Sequence, residues 1–347
     1  MSISHLLRPN IRALAPYTCA RDEFSGEAQA WLDANENSLL PGLNRYPDPL
    51  QRTVKTEIAA WRGVDIENIF LGVGSDECID LCYRVFCRPG IDNVVAIDPT
   101  YGMYSVCAAI NDVEYRTVAL LPDFSIDTEA LLAATDDNTK VLWICSPNNP
   151  TANAFPLEQI EDIASRFNGI TVVDEAYADF SSKGTALNGI LQRHPRMIVL
   201  QTFSKAWGRA AMRLGMAFAD PEIIGYFNKV KYPYNINILT QREALDALTH
   251  HRTEILDSVS AILTARDQLS EALQKLPVVK TVYPSDANFL LVKVSDADGL
   301  YHYLCDNGVV VRNRSKVTLC GECLRITVGT DAENTLLIEK LKQYADK

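Results

Sequence analysis

The sequence predicts an α/β protein in which a large domain with a mostly parallel sheet is followed by a small α+β domain. Short apolar runs alternate with helical patterns over residues 94–219, and this alternation is typical of parallel sheets with crossover helices. A long amphipathic helical pattern, about residues 242–276, separates that part from a C-terminal part with fewer strands. We therefore expect an arm at 1–40, packing on the small domain or a partner subunit, a large domain at 41–245 and a small domain at 246–347.

The composition is that of an ordinary globular protein, with 47% hydrophobic and 22% charged residues. A net charge of −11 without any Lys/Arg cluster argues against nucleic-acid binding. No apolar run approaches the roughly 18 residues that a membrane span requires, and the N-terminus lacks the pattern of a secretory signal. We expect a soluble, cytoplasmic protein that acts on small molecules, with no nucleic acid and no membrane as partner.

The nine cysteines are typical of a reducing compartment, because most of them lie inside apolar runs as small hydrophobic residues. One C-x-x-C pair occurs, Cys320 and Cys323. A zinc site would need a second pair at suitable spacing, and none is present. We predict no metal site and a hairpin turn entering a strand at this pair.

Two helices are predicted ahead of the alternating region. Pro49 opens a helical pattern that Gly63 closes. A second pattern covers residues 78–87, and Ser75 before it is a good N-cap residue. Because glycines precede this helix, the backbone N–H groups of Ser75 and Asp76 are candidates for binding an anion, although the same residues are also typical of plain capping.

The other elements follow from the spacing of apolar residues. In the large domain, the predicted strands are 94–97, 114–118, 140–145, 170–173, 197–200 and 214–219, and the predicted helices include 127–134 and 157–167. In the small domain, the predicted strands are 278–282, 288–294, 309–312 and 324–328, with a helix near 298–307 and a final helix after the last strand.

Polar side chains follow four of the predicted strands, at the carboxyl ends where parallel α/β sheets bind ligands. The sequences in question are D-P-T-Y-G-M-Y (98–104), S-P-N-N-P-T (146–151), D-E-A-Y (174–177) and the lysine stretch 202–215. Aromatic, amide, carboxylate, phenol and lysine groups therefore reach one edge of the sheet. Four such ends together predict a functional site rather than four unrelated capped loops.

In the lysine stretch, Lys205 stands between two hydroxyl residues, Thr202 and Ser204, and two arginines, Arg209 and Arg213. Nearby arginines lower the pKa of a lysine and favour the neutral amine that forms a Schiff base. Hydroxyls with an arginine also suit a phosphate. The stretch thus indicates a phosphorylated aldehyde cofactor, pyridoxal phosphate, on Lys205; by itself it is equally consistent with a basic turn.

Several motifs together carry a resemblance to a known family. N-N-P-T (148–151), D-E-A-Y (174–177), S-K (204–205) and Arg213 resemble the fold-type-I pyridoxal phosphate aminotransferases. N-R-Y-P-D-P (44–49), P-T-Y-G-M-Y (99–104), A-N-F (287–289) and C-L-R-I-T-V-G-T (323–330) resemble the histidinol-phosphate aminotransferases within that group. The resemblance spans nearly the whole chain and departs at Ala152, where the family usually has glycine. It implies a three-layer α/β/α large domain, pyridoxal 5′-phosphate and a homodimer.

The resemblance also implies roles around the cofactor. Lys205 would form the Schiff base and move the proton, and Asp174 would pair with the pyridine nitrogen. Asn149 and Tyr177 would bond the phenolic oxygen, and Tyr101 would stack on the ring. The phosphate would be held by Thr202, Ser204, Arg213 and the backbone of Ser75 and Asp76, with Tyr46 reaching it from the other subunit.

The implied substrates are histidinol phosphate and the glutamate/2-oxoglutarate pair, so one pocket must accept a phosphate and a carboxylate in turn. An arginine binds either group with two parallel hydrogen bonds. Arg325 is the best candidate, with Arg312 beside it and Arg314 as the alternative to Arg312. Weaker candidates for the substrate pocket are Tyr17, Asn35 and Asn288. Arg209 has no implied role, and we expect it in an ion pair.

Two other activities remain open at this point. A broader aromatic or aspartate-type aminotransferase has the same chemistry, and threonine-phosphate decarboxylases share the framework and its motifs. Decarboxylation differs in which bond of the substrate stands perpendicular to the ring, and the lysine stretch does not report that orientation.

Overall fold

Two sheets organise the chain, one in each predicted domain. The computed structural model describes residues 3–24 and 28–345. Residues 1–2 and 25–27 of the predicted arm, and residues 346–347 of the predicted small domain, lie outside the described residues.

The large sheet contains, among the described residues, seven strands: β1 (Ile69–Val73), β2 (Asn93–Asp98), β3 (Glu114–Ala119), β4 (Thr139–Cys145), β5 (Ile170–Asp174), β6 (Met197–Thr202) and β7 (Leu214–Ala219). Their order is β1-β7-β6-β5-β4-β2-β3. Neighbouring strands from β3 to β6 pair in parallel, whereas β7 is antiparallel to both β6 and β1. The predicted, mostly parallel sheet is confirmed; β1 is a strand that the prediction missed.

Helices cover both faces of this sheet. Successive residues of β2 and β4 point into different apolar clusters, one on each face, which makes the large domain a three-layer structure. No helix in the described part of the chain is long and apolar enough to span a membrane. The helices are α1 (Pro9–Arg12), α2 (Ala20–Glu23), α3 (Arg52–Arg62), α4 (Gly74–Phe86), α5 (Met103–Ile110), α6 (Thr128–Ala133), α7 (Leu157–Arg166), α8 (Ile190–Arg193), α9 (Pro221–Val230), α10 (Ile238–His250), α11 (Arg252–Gln274), α12 (Ala297–Asp306) and α13 (Asp331–Ala345).

Two predicted helix starts are wrong. Helix α3 begins at Arg52 rather than Pro49, because Gln51 has a left-handed backbone (φ 50°) that cannot belong to the helix. Its predicted end at Gly63 is confirmed, with φ 68°. Helix α4 begins at Gly74, so Ser75 lies inside its first turn and is not the N-cap. Its backbone N–H group is still one of those left without a partner within the helix.

The long helical pattern over about 242–276 is two helices rather than one. Helix α10 ends at His250 and α11 begins at Arg252, with His251 between them (φ −112°, ψ 6°). This break lets α10 pack on α3 of the large domain while α11 packs on the small sheet. The predicted division at residues 245 and 246 falls inside α10, and the domain boundaries stay a prediction.

The small sheet is antiparallel, with strands β8 (Val279–Val282), β9 (Phe289–Val294), β10 (Arg312–Asn313) and β11 (Cys323–Thr327) in the order β10-β11-β9-β8. The predicted turn at the C-x-x-C pair is confirmed. The N–H group of Cys323 donates to the carbonyl of Cys320 at 3.0 Å, and β11 starts there. Both thiols are free and buried, and burial raises the pKa of Cys320 to about 12 and of Cys323 to about 11.

The start of the N-terminal arm packs on the large domain. Ile3, Leu6, Leu7 and Ile11 are buried in the apolar cluster that α4 and α9 share. Further along, the carboxylate of Glu36 pairs with Arg21 and Arg45, and those contacts hold the Asn44–Pro49 loop. How the whole arm packs in an assembly stays a prediction.

Candidate active site

A cavity of about 710 Å³ lies at the carboxyl ends of the parallel strands, with the small domain forming its far wall. Strands β4, β5 and β6 each place their last residue on its surface, at Cys145, Asp174 and Thr202. The residues that follow the predicted strands therefore meet at one cavity, as the sequence predicts. The lining residues also include Ser75, Asp76, Thr100, Tyr101, Asn149, Tyr177, Ser204, Lys205, Arg213, Arg312, Arg314 and Arg325.

Asp174 is the buried carboxylate of the cavity. Its Oδ2 accepts a hydrogen bond from the hydroxyl of Tyr104 at 2.6 Å, and its Oδ1 accepts one from the N–H group of Ala176 at 3.1 Å. Burial raises the pKa of Asp174, and the Tyr104 hydroxyl opposes that rise. The two donors fix the position of the carboxylate and oppose the effect of burial on its pKa.

Lys205 lies across the cavity from the small domain. Its ammonium nitrogen is 5.6 Å from the centre of the Tyr177 ring. The pKa of Lys205 is lowered, first by burial and then by the positive charge of Arg325. Arg213 contributes less, and Arg209 is instead paired with Glu243 at 2.9 Å, as expected from the sequence. The lowered pKa favours a neutral amine, which suits a nucleophile or a general base.

An anion-binding corner lies where α4 begins. Ser75 and Asp76 are in the first turn of α4, where backbone N–H groups are free to bind an anion. Arg213 stands next to them, with a backbone carbonyl that accepts from the N–H of Gly74 at 2.9 Å and a guanidinium 3.3 Å from the Asp76 carboxylate. A positive charge and a helix N-terminus therefore meet in one corner.

The aromatic side of the cavity is formed by Tyr101. Its hydroxyl donates to Asp76 Oδ1 at 3.2 Å, and its ring meets that of Tyr104 edge-on with centroids 5.6 Å apart. Burial raises the pKa of Tyr101, so the phenol stays protonated. The ring is held in place at both ends.

Three arginines of the small domain, Arg312, Arg314 and Arg325, form the opposite wall. Strands β10 and β11 pair Arg312 directly with Arg325. The pKa of Arg325 and that of Arg314 are both lowered, first by burial and then, in each case, partly by another arginine of the group. Within the described part of the chain, none of the three pairs with a carboxylate. A cavity wall with unpaired positive charges predicts an anionic ligand.

Contacts between the domains fix this wall relative to the large sheet. Arg325 Nη1 donates to Asn149 Oδ1 at 2.5 Å. Farther out, Asp286 of the small domain binds Lys183 at 3.0 Å and the backbone N–H of Ala154 at 2.8 Å. Ala152, next to this contact, has φ 70°, a left-handed conformation that favours glycine.

The sequence also matches a known protein family. Residues 17–341 match the family model described as aminotransferase class I and II. The chain belongs to that family.

Individual relatives of this aminotransferase are close in sequence. It is 53% identical over 344 residues to the histidinol-phosphate aminotransferase of Bacteroides fragilis, with 99% of each chain covered. It is 53% identical over 340 residues to that of Parabacteroides distasonis, with 98% of each chain covered. Among solved structures, it resembles the histidinol-phosphate aminotransferase of Sinorhizobium meliloti in complex with pyridoxal-5′-phosphate, at a TM-score of 0.79, with 23% identity and 90% of each chain covered.

Members of this aminotransferase family use pyridoxal phosphate, and the anion-binding corner fits its phosphate. Gly74 is left-handed (φ 71°), and a Cβ atom there would lie 2.6 Å from Nη2 of Arg213. A Cβ atom on Gly215 would lie 2.2 Å from the backbone nitrogen of Ser75. Side chains at these two positions would fill the space between the helix start and the guanidinium, so both glycines keep the corner open.

Four predicted site residues of the aminotransferase do not line the cavity of their own chain: Tyr17, Asn35, Tyr46 and Asn288. Tyr17 is 72% and Tyr46 50% exposed. The Tyr46 ring stacks on Tyr234 at 4.4 Å, and Asn35 lines a separate surface pocket next to Tyr46. Asn288 uses its carbonyl to accept from Val328 at 3.0 Å. Their roles remain predictions.

Two residues near the site were not singled out from the sequence. Tyr104 binds Asp174, and Asn148 joins two strand ends because it accepts from Thr100 at 3.0 Å and donates to the carbonyl of Pro99 at 2.8 Å. Both side chains are fully buried. From the sequence alone they cannot be told apart from ordinary core residues.

Proposed function

We propose that this protein interconverts histidinol phosphate and 2-oxoglutarate with imidazole-acetol phosphate and glutamate, as an aminotransferase of L-histidine biosynthesis. The observation that supports it most directly is the group of three unpaired arginines facing Lys205. Both amine substrates bring anionic groups, a phosphate in one case and carboxylates in the other. The high identity to named histidinol-phosphate aminotransferases supports the same activity.

Separate groups of residues would bind the ring and the phosphate of the cofactor. Asp174 would face the ring nitrogen, since its carboxylate is buried and held by two donors. Asn149 and Tyr177 would bond the phenolic oxygen, and Tyr101 would cover the ring face. The phosphate end would be held by Thr202, Ser204, Arg213 and the backbone N–H groups of Ser75 and Asp76. When bound, pyridoxal phosphate supplies an electron sink for the electrons left at the substrate α-carbon.

Lys205 performs the proton transfer. A neutral amine is needed to take the proton from the α-carbon of a bound substrate, and burial together with Arg325 lowers the pKa of Lys205 in that direction. Arg325 therefore has two effects, because it also binds the anionic end of the substrate. The centre of the Tyr177 ring lies 5.6 Å from the amine nitrogen.

The arginine wall serves both half-reactions. A guanidinium binds a phosphate or a carboxylate in the same forked geometry, so one wall accepts histidinol phosphate and then 2-oxoglutarate. Arg325, tied to Asn149, would make the central contact, and both Arg312 and Arg314 line the cavity close enough to share the charge. Tyr17 and Asn35, both on the arm, would complete the pocket only after the arm or a second chain moves against it, and Asn288 only through a shift of the small domain.

The test of this function is the visible spectrum of the purified protein with bound pyridoxal phosphate. We expect histidinol phosphate and glutamate each to convert the cofactor to its aminated form, with histidinol phosphate much faster than phenylalanine. Equal rates with phenylalanine would indicate the broader aminotransferase. Carbon dioxide released from threonine phosphate, without transfer to 2-oxoglutarate, would indicate the decarboxylase instead.

The active unit would be a homodimer in which Tyr46 of one chain reaches the phosphate of the other. Tyr46 is half exposed and lies outside its own cavity, and Leu32 (90%) and Leu39 (87%) near it are the kind of exposed apolar side chains that an interface covers. The nine free cysteines support a reducing compartment, and we place the reaction in the cytoplasm.

Mixing two defective chains tests the shared site. Tyr46→Phe is expected to weaken cofactor binding about tenfold, since a hydrogen bond to a charged phosphate is lost. Lys205→Ala is expected to be inactive. When the two variants are unfolded together and refolded as mixed dimers, about a quarter of all sites should hold both an intact Lys205 and an intact Tyr46. Activity at limiting cofactor should rise accordingly; no rise would mean that each chain uses its own Tyr46.

A further inference from the structure

A buried phenol holds the carboxylate at the centre of the cavity. Tyr104, in the first turn of α5, donates to Asp174 Oδ2 at 2.6 Å across 70 residues of sequence. The other oxygen accepts from Ala176, so each oxygen of Asp174 has one protein donor. Tyr104 itself is fully buried and does not line the cavity. Its contact with the site runs through Asp174 and not through the ligand.

Three stacked rings prevent Tyr104 from turning away. Its ring lies 4.6 Å from that of Trp143, at 13°, and Trp143 stacks in turn on Tyr83 at 5.6 Å and 22°. The Tyr83 hydroxyl donates to the backbone carbonyl of Tyr104 at 2.7 Å. All three side chains are fully buried. The Tyr104 hydroxyl is therefore held inside the core, next to Asp174 and the Cys145 thiol.

We propose that Tyr104 is a positioning residue for the cofactor, because its hydroxyl holds the Asp174 carboxylate in the orientation that faces the ring nitrogen. This inference rests on the proposed function. Asp174 lines the cavity, and each of its oxygens accepts one hydrogen bond from the protein and keeps further acceptor capacity for a ligand.

The same contact sets how the site responds to pH. Burial and the negative charge of Asp76 raise the pKa of Asp174, whereas the Tyr104 hydroxyl, the Ala176 N–H and Lys205 lower it. The Cys145 thiol also faces it, with a pKa raised by burial, and is neutral. Without the Tyr104 hydroxyl, the carboxyl group of Asp174 would take up a proton at higher pH, and a neutral Asp174 pairs poorly with a protonated ring nitrogen.

Tyr104→Phe and Tyr83→Phe make a matched pair, since each removes one buried hydroxyl from the same stack and only the first touches Asp174. The measurement is pyridoxal phosphate affinity of the apoprotein, by fluorescence titration over a range of pH. Tyr104→Phe is expected to weaken binding about tenfold and to move the acid limb of the affinity profile to higher pH. Tyr83→Phe keeps its ring in the stack and leaves the Tyr104–Asp174 hydrogen bond in place, so both should change far less.

A second comparison separates positioning from loss of stability. In a protein already carrying Asp174→Asn, the further change Tyr104→Phe should have a much smaller effect on affinity, because the carboxylate that Tyr104 positions is no longer there to pair with the ring nitrogen. Equal weakening by Tyr104→Phe and Tyr83→Phe, or an additive effect with Asp174→Asn, would overturn the inference alone. A wild-type protein that binds no pyridoxal phosphate would overturn the proposed function, and this inference with it.

Discussion

Replacing Lys205 with alanine is expected to lower the rate of transamination by about 10⁴-fold or more, while the protein stays folded and still binds pyridoxal phosphate. Alanine has no amine to join the cofactor aldehyde and none to take the α-proton. The phosphate corner around Arg213 and the buried carboxylate of Asp174 do not depend on Lys205, so cofactor binding persists. Stopped-flow absorbance with histidinol phosphate measures the effect.

Lys205→Arg is the matched control for charge. Arginine keeps a positive charge at this position but stays protonated, so it has no neutral amine to offer. If the amine matters, both variants lose activity to a similar degree. If Lys205 acts only as a positive charge near the cavity, Lys205→Arg keeps most of the wild-type rate, and the nucleophile and base assignment is then wrong.

Replacing Arg325 with glutamine is expected to lower kcat/KM for histidinol phosphate and for glutamate alike, by about 10² to 10³-fold. The Arg325 guanidinium is largely buried, unpaired with any carboxylate in the described part of the chain, and bonded to Asn149. Removing one partner of a buried charge pair costs about 2–5 kcal/mol of binding free energy. We expect a similar loss when the main anchor of an anionic substrate is removed.

Arg312→Gln is the comparison variant. Arg312 pairs with Arg325 across β10 and β11 but is exposed to solvent, so its charge is screened and its loss should cost about tenfold or less. Steady-state kinetics of both variants with both substrates shows which substitution lowers kcat/KM more. A larger loss for Arg312→Gln, or a loss confined to one substrate, would contradict the assignment of Arg325 as the shared anchor.

Most of the large sheet could be predicted from the sequence because its strands are short apolar runs separated by capped helices. The Asp127 cap of α6, for example, is visible in the sequence and present in the structure, where its carboxylate accepts from Ala130 at 3.0 Å. Strand β1 was missed because its apolar run merges into the glycines before α4. The helix break at His251 was missed because both halves have compatible periodicity, and only packing against different domains separates them.

The candidate site also contains residues that can be found from the sequence and residues that cannot. Lys205, Asp174, Asn149 and Tyr177 all line the cavity, because each lies at or within a few residues of the end of a strand, and parallel strands place their carboxyl ends at one edge. Tyr104 could not be found, since its hydroxyl is recognisable only through a contact made inside the core. Tyr46, Tyr17 and Asn35 lie where a single chain leaves them exposed, so their part depends on an assembly.

The sequence by itself determined the alternating architecture, the chemical groups at the strand ends and the lysine among hydroxyls and arginines. These features are local, because a few neighbouring residues decide a strand, a cap or a turn. The tertiary structure decided which arginines face the cavity and which buried donor holds the carboxylate. Those contacts join residues 176 and 70 positions apart, Arg325 with Asn149 and Tyr104 with Asp174. Only the packing of the small domain and of α5 on the large sheet brings them together.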